Sequence, residues 1–106
     1  MPKFLIQLSY TPEGAKGVLK AGGSARRKAA ADVLSQFNGK VESFYFAFGA
    51  DDAVLIVEVP DQETMAAISL TVSASGTIRT RATALLTPEQ IDEAAKKHVD
   101  FRAPGE

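Results

Sequence analysis

Hydrophobic and polar residues alternate from the start of the chain. Phe4, Ile6, Leu8 and Tyr10 fall on one side of an extended segment and Lys3, Leu5, Gln7 and Ser9 on the other, which predicts a strand over residues 4–10. Thr11-Pro12-Glu13 then reads as a helix start: a capping hydroxyl, a proline at the first helical position, and an acid suited to the positive end of the helix dipole. Ala15, Val18 and Leu19 give this short helix one apolar face. Ala21-Gly22-Gly23-Ser24 breaks it, with Ser24 expected to cap a longer helix carrying Ala30, Val33, Leu34 and Phe37 at helical spacing and ending at Asn38-Gly39.

Two further strands are predicted over Val41–Phe48 and Ala53–Val59, joined through Gly49-Ala50-Asp51-Asp52 as a hairpin. Asp61 caps a helix bearing Met65, Ile68 and Val72, and Gly76 stops it. A fourth strand covers Ile78–Leu86, and Thr87-Pro88-Glu89-Gln90 opens a last helix with a Thr…Gln capping box. The order β-α-β-β-α-β plus a C-terminal helix predicts an α+β, ferredoxin-like antiparallel sheet, with residues 1–98 as one domain and 99–106 as a tail. Alternation in the second strand sets Phe44, Phe46 and Phe48 against Val41, Tyr45 and Ala47. In the third it sets Val54 and Ile56 against Leu55, Val57 and Val59. Both sheet faces are therefore expected to be apolar, and a two-fold, sheet-to-sheet homodimer is the expected cover for the face without helices.

Twelve basic residues against thirteen acidic ones give a net charge of −1, which argues against a nucleic-acid partner. No cysteine is present, so disulfides, thiolate nucleophiles and cysteine-ligated metals are excluded. With no secretory h-region after Met1-Pro2-Lys3 and no apolar run of ~18 residues, a cytoplasmic protein without membrane contact is expected.

Candidate chemistry is sparse. The Gly22-Gly23-Ser24 break followed by Arg26 and Arg27 reads either as an anion site, with free helix amides and two converging guanidinium groups, or as a capped helix with a solvated basic turn. Tyr10 and Tyr45 read as amphipathic core residues whose hydroxyls reach a pocket between helix and sheet. Arg79, Arg81 and Thr83 alternate along strand four and Lys3, Gln7 and Ser9 along strand one; they read as a shared polar patch at a dimer's edge, as partners for acidic residues of the other subunit, or as substrate contacts. His98, the only histidine, suits a helix C-terminus and has no acidic orienter expected near it. Asp51 and Asp52 are expected to point apart into solvent. Neither a catalytic residue nor a metal site is identified.

The segments Lys3-Phe4-Leu5-Ile6, Ser9-Tyr10-Thr11-Pro12-Glu13-Gly14, Gly22-Gly23-Ser24-Ala25-Arg26-Arg27, Glu42-Ser43-Phe44-Tyr45-Phe46-Ala47-Phe48-Gly49 and Leu85-Leu86-Thr87-Pro88-Glu89 together resemble the GYD-domain family of small bacterial proteins, over about Met1 to Lys97. The Gly-Tyr-Asp turn of that family reads Gly49-Ala50-Asp51 here, without the tyrosine hydroxyl. The resemblance implies a dimeric α+β barrel and supplies no activity; separately, no cofactor is expected. Relatives by fold include cofactor-free monooxygenases, haem enzymes and ligand-sensing domains. Two functions are expected in turn. One is a homodimer, or higher assembly of it, that binds a small apolar or anionic ligand through Tyr10, Ser24, Arg26, Arg27 and Tyr45, in its catalytic form a cofactor-independent oxygenase or isomerase. The other is a non-catalytic ligand-sensing or assembly module, which a closed core near Tyr10, Tyr45 and Arg26 would favour.

Overall fold

The computed structural model describes all residues, Met1–Glu106. Its elements run β1 (Lys3–Tyr10), α1 (Pro12–Ala21), α2 (Gly23–Ser35), β2 (Lys40–Phe46), β3 (Ala53–Glu58), α3 (Gln62–Ala74), β4 (Ile78–Leu85) and α4 (Pro88–Ala95). The strands form one antiparallel sheet in the order β2-β3-β1-β4. Each crossover leaves a strand, runs through helix, and returns two places away, so the helices gather on one face as the ferredoxin-like reading expects.

Register fixes what that inner face holds. Phe4, Ile6 and Leu8 of β1 lie opposite Val57, Leu55 and Ala53 of β3 and are buried with them. Leu34 of α2, Met65 and Ile68 of α3, Val59 and Ile78 complete the core, which contains no buried polar residue. The caps follow the local chemistry read from the sequence. The Thr11 hydroxyl accepts from Gly14 N–H at 3.3 Å, the Asp61 carboxylate from Thr64 N–H at 2.7 Å, and Thr87 and Gln90 form the reciprocal capping box.

Several expectations change. Gly22, not Ser24, precedes α2; its φ of +88° lies where only glycine is unstrained, and no side chain caps that end. The apolar residues of α1 do not form a packed face, since Ala15 and Leu19 are exposed and only Val18 is half-buried. Phe37 belongs to the turn after α2 and is partly exposed. Strand β2 ends at Phe46, leaving Phe48 fully exposed in the hairpin loop.

A bulge also resets β2. Val41 pairs with Val57 and Ser43 with Ile56, so Glu42 is the extra residue. Val41 therefore joins Phe44 and Phe46 on the inner face rather than opposing them, and Lys40, Ser43 and Tyr45 turn outward.

The outer face is consequently not wholly apolar. A strip of Leu5, Val54 and Ile56 runs through its middle, half-buried by the sheet alone. At one end Lys3 donates to Glu42 at 2.8 Å, and Glu58 lies 3.8 Å from Lys3 and 3.2 Å from Lys40. The hydrogen bond to Glu42, reinforced by both carboxylates, raises the Lys3 pKa above its ordinary value. At the other end Asp51 accepts from Gln7 at 3.2 Å and pairs with Arg81 at 2.6 Å. The last helix does not cover this strip, because every residue of α4 is exposed. The radius of gyration is 17.0 Å and the longest extent 57 Å. A compact chain of this length has a radius of about 13 Å, so the excess reflects an outlying segment.

No helix is long and apolar enough to cross a membrane.

Candidate functional site

Between the inner sheet face and helices α2 and α3 lies a cavity of about 220 Å³. Its floor is Ile6 and Leu8 of β1, Leu55 and Val57 of β3, and Ile78 and Thr80 of β4; its roof comes from one side of α2 and α3, including Ala30, Val33, Met65, Ile68 and Val72. The lining is apolar except for Arg26, Ser69 and Thr80. A cavity of roughly 150 Å³ accepts benzene, so this one holds a ring or branched chain with a short extension. A second hollow of about 190 Å³ adjoins it, sharing Arg26 and Ile78, and is otherwise bounded by Tyr10, Thr77 and residues of α1 and early α2, among them Glu13 and Gly14.

Arg26 thus stands between an apolar interior and a more polar antechamber. Its position reflects helical phase: residues 26, 30 and 33 lie four and three apart, so the first turn of α2 carries a cation on the same side as Ala30 and Val33. Arg26 is half-buried, and its Nε atom is enclosed without a hydrogen-bond partner. The Tyr10 hydroxyl is likewise enclosed and unpartnered. Its ring lies stacked 6.5 Å from that of Phe46, which itself meets Phe44 edge-on at 5.4 Å. Asp52 fixes the Tyr10 backbone: its carboxylate accepts from Tyr10 N–H at 2.8 Å while its own N–H donates to the Leu8 carbonyl at 2.7 Å.

The five residues singled out from sequence divide into two groups. Tyr10 and Arg26 meet at the inner cavities. Ser24, Arg27 and Tyr45 instead border a shallow groove of about 530 Å³ between α2 and β2, with Lys28 and Glu42. Arg26 and Arg27 lie about 100° apart around the helix and line different hollows, so their guanidinium groups do not share one site. Although the groove is the larger hollow, it is open, and Ser24, Arg27 and Tyr45 are all exposed, Tyr45 by 71%. The hollow between sheet and helices is the more apolar of the two, its lining polar only at Arg26, Ser69 and Thr80.

Sequence reading also missed the work of Asp51 and Asp52. They do point apart, but neither is free: Asp51 ties the hairpin loop to Gln7 and Arg81, and Asp52 ties it to β1. Their partners lie 30 to 44 positions away, beyond any local pattern. The polar patch read on strands one and four is present on the outer face, where Gln7 lies opposite Arg81 and Ser9 opposite Arg79. His98 does have a nearby acid, Asp100, whose Oδ1 lies 2.9 Å from its Nε2; both side chains are almost fully exposed, and neither lines the cavities or the groove described above. No group of three or more His, Cys, Asp or Glu side chains is placed to hold a metal ion.

The family model described as the GYD domain matches residues 4–95, a span that contains both cavities and, apart from Lys3 at the start of β1, every element of the fold. No curated protein and no solved structure matches the chain.

Proposed function

The chain belongs to the GYD-domain family, and on that premise we propose that it is a small-molecule-binding protein working as a homodimer, its ligand held between helices and sheet. The observation that carries this reading is the apolar cavity of about 220 Å³ inside the core, with Arg26 at its rim. Voids in a close-packed core lose both dispersion contacts and transfer energy. An apolar ligand restores both. The cavity lining contains one titratable side chain, Arg26, whose guanidinium offers hydrogen-bond donors and no acceptor atom. That favours binding or sensing over an oxygenase or isomerase, whose chemistry needs a proton acceptor at the substrate. The one carboxylate bordering the antechamber is Glu13.

The test uses a neutral apolar probe. Indole titrated into the protein should shift the methyl resonances of Met65, Ile68 and Val72 with saturation, and Ala30→Phe, which fills the cavity, should abolish the shifts while keeping a cooperative thermal transition. Unchanged methyl resonances at saturating indole would reject the cavity as a binding site.

A further inference from the structure

Arg26 Nε and the Tyr10 hydroxyl are both enclosed hydrogen-bond donors without partners, and the side chains that carry them line the same hollow. We infer that the ligand is a small monocarboxylate with an apolar body: its carboxylate lies in the antechamber between Arg26 and Tyr10, its ring or branched chain in the core cavity. This rests on the reading of the cavity as a ligand site and adds the chemistry of the ligand's head.

Enclosing a donor without an acceptor sacrifices the hydrogen bond it made to water, and the loss is greater for a charged group. A tyrosine can accept as well as donate, so its hydroxyl alone would be served by an alcohol, an amide or water. A guanidinium donates only, and its charge makes an anionic acceptor the favoured one. Glu13, which lines the same hollow, forms no ion pair with Arg26 within 4.0 Å. It faces the antechamber from α1 and opposes any anion entering there. Body and head are matched to adjoining spaces, since Ile78 and Arg26 belong to both hollows. Arg27, one residue on, borders the separate α2–β2 groove and serves as an internal control.

Calorimetric titration of phenylacetate and 4-methylpentanoate, each against its primary amide, decides the matter. The carboxylates should bind on the order of tenfold more tightly than the amides, the scale of one charge-assisted hydrogen bond. Arg26→Gln should bring that ratio close to one, Arg26→Lys should restore part of it, and Arg27→Gln should leave it unchanged. Glu13→Gln should tighten carboxylate binding without affecting the amides. Equal affinity of acid and amide, or a preference that survives Arg26→Gln, overturns the carboxylate assignment while leaving the cavity reading intact if indole still shifts the core methyls. If neither indole nor any of the four probes binds, both readings fall.

Discussion

At the scale of single residues, the side chains that matter most are those whose hydrogen bonds decide a local conformation. Asp61 is one. Hydrogen bonding from Thr64, through its side chain and backbone, holds the Asp61 carboxyl below its ordinary value of 3.8. A depressed folded-state pKa means the unfolded chain takes up the proton first. The contribution is thus complete above about pH 5 and fades as pH falls through 3.8 toward the folded value. Asp61→Asn, which keeps an acceptor at the cap, should flatten that part of the acid limb when urea midpoints are followed from pH 6 to pH 2. An acid limb identical to that of the parent protein would show that the cap does not titrate in this range. Caps of this kind are legible in the sequence because donor and acceptor are three residues apart. Arg26 is only half legible: its residue type and neighbourhood point to an anion, but the partner that adjacency suggests, Arg27, lies nearly a third of a turn away. Reading 26, 30 and 33 as one stripe separates them.

At the scale of elements, strand alternation locates all four strands, because a two-residue period is set by the backbone itself. What it does not locate is the bulge at Glu42, which depends on how β2 meets β3, and so alternation alone puts Val41 on the wrong face. Close approach between elements is equally hidden. Helix α1 passes so near the α3–β4 turn that a Cβ on Gly14 would run into the Thr77 carbonyl oxygen, the same oxygen that accepts from Thr11 N–H at 3.0 Å. One turn on, Gly17 has open space around it. Alanine in a helix interior is ordinarily favoured over glycine by about 1 kcal/mol. Gly17→Ala should therefore raise stability by up to about 1 kcal/mol, whereas Gly14→Ala should lower it by roughly 1–3 kcal/mol through forced displacement. Chemical denaturation of the pair measures both, and equal signs would contradict this packing of α1.

At the scale of the whole molecule, the expectation of a partner comes from counting apolar faces, and the structure alters its form. The outer face is a narrow strip of Leu5, Val54 and Ile56 between two groups of ion-paired side chains. Such a centre-and-rim arrangement suits an interface better than a uniformly greasy sheet, because the rim sets orientation. In the proposed two-fold dimer Ile56 lies at the strip's centre, so Ile56→Lys should halve the sedimenting mass at tens of micromolar while the far-ultraviolet dichroism stays unchanged. A parent protein that already sediments as a monomer there removes the basis for the dimer.

The closing segment of the chain carries a different kind of consequence. Helix α4 has a complete capping box yet buries none of its residues, and beyond it only Ala103 is even half-covered. No residue beyond Ala95 belongs to the core or to a strand ladder. Tolerance to insertion depends on the burial and bonding of the backbone concerned. By that criterion the region after Ala95 is the molecule's natural handle, the place where a dye, a surface tether or a fused domain can be attached at a distance from Arg26 and the cavity behind it.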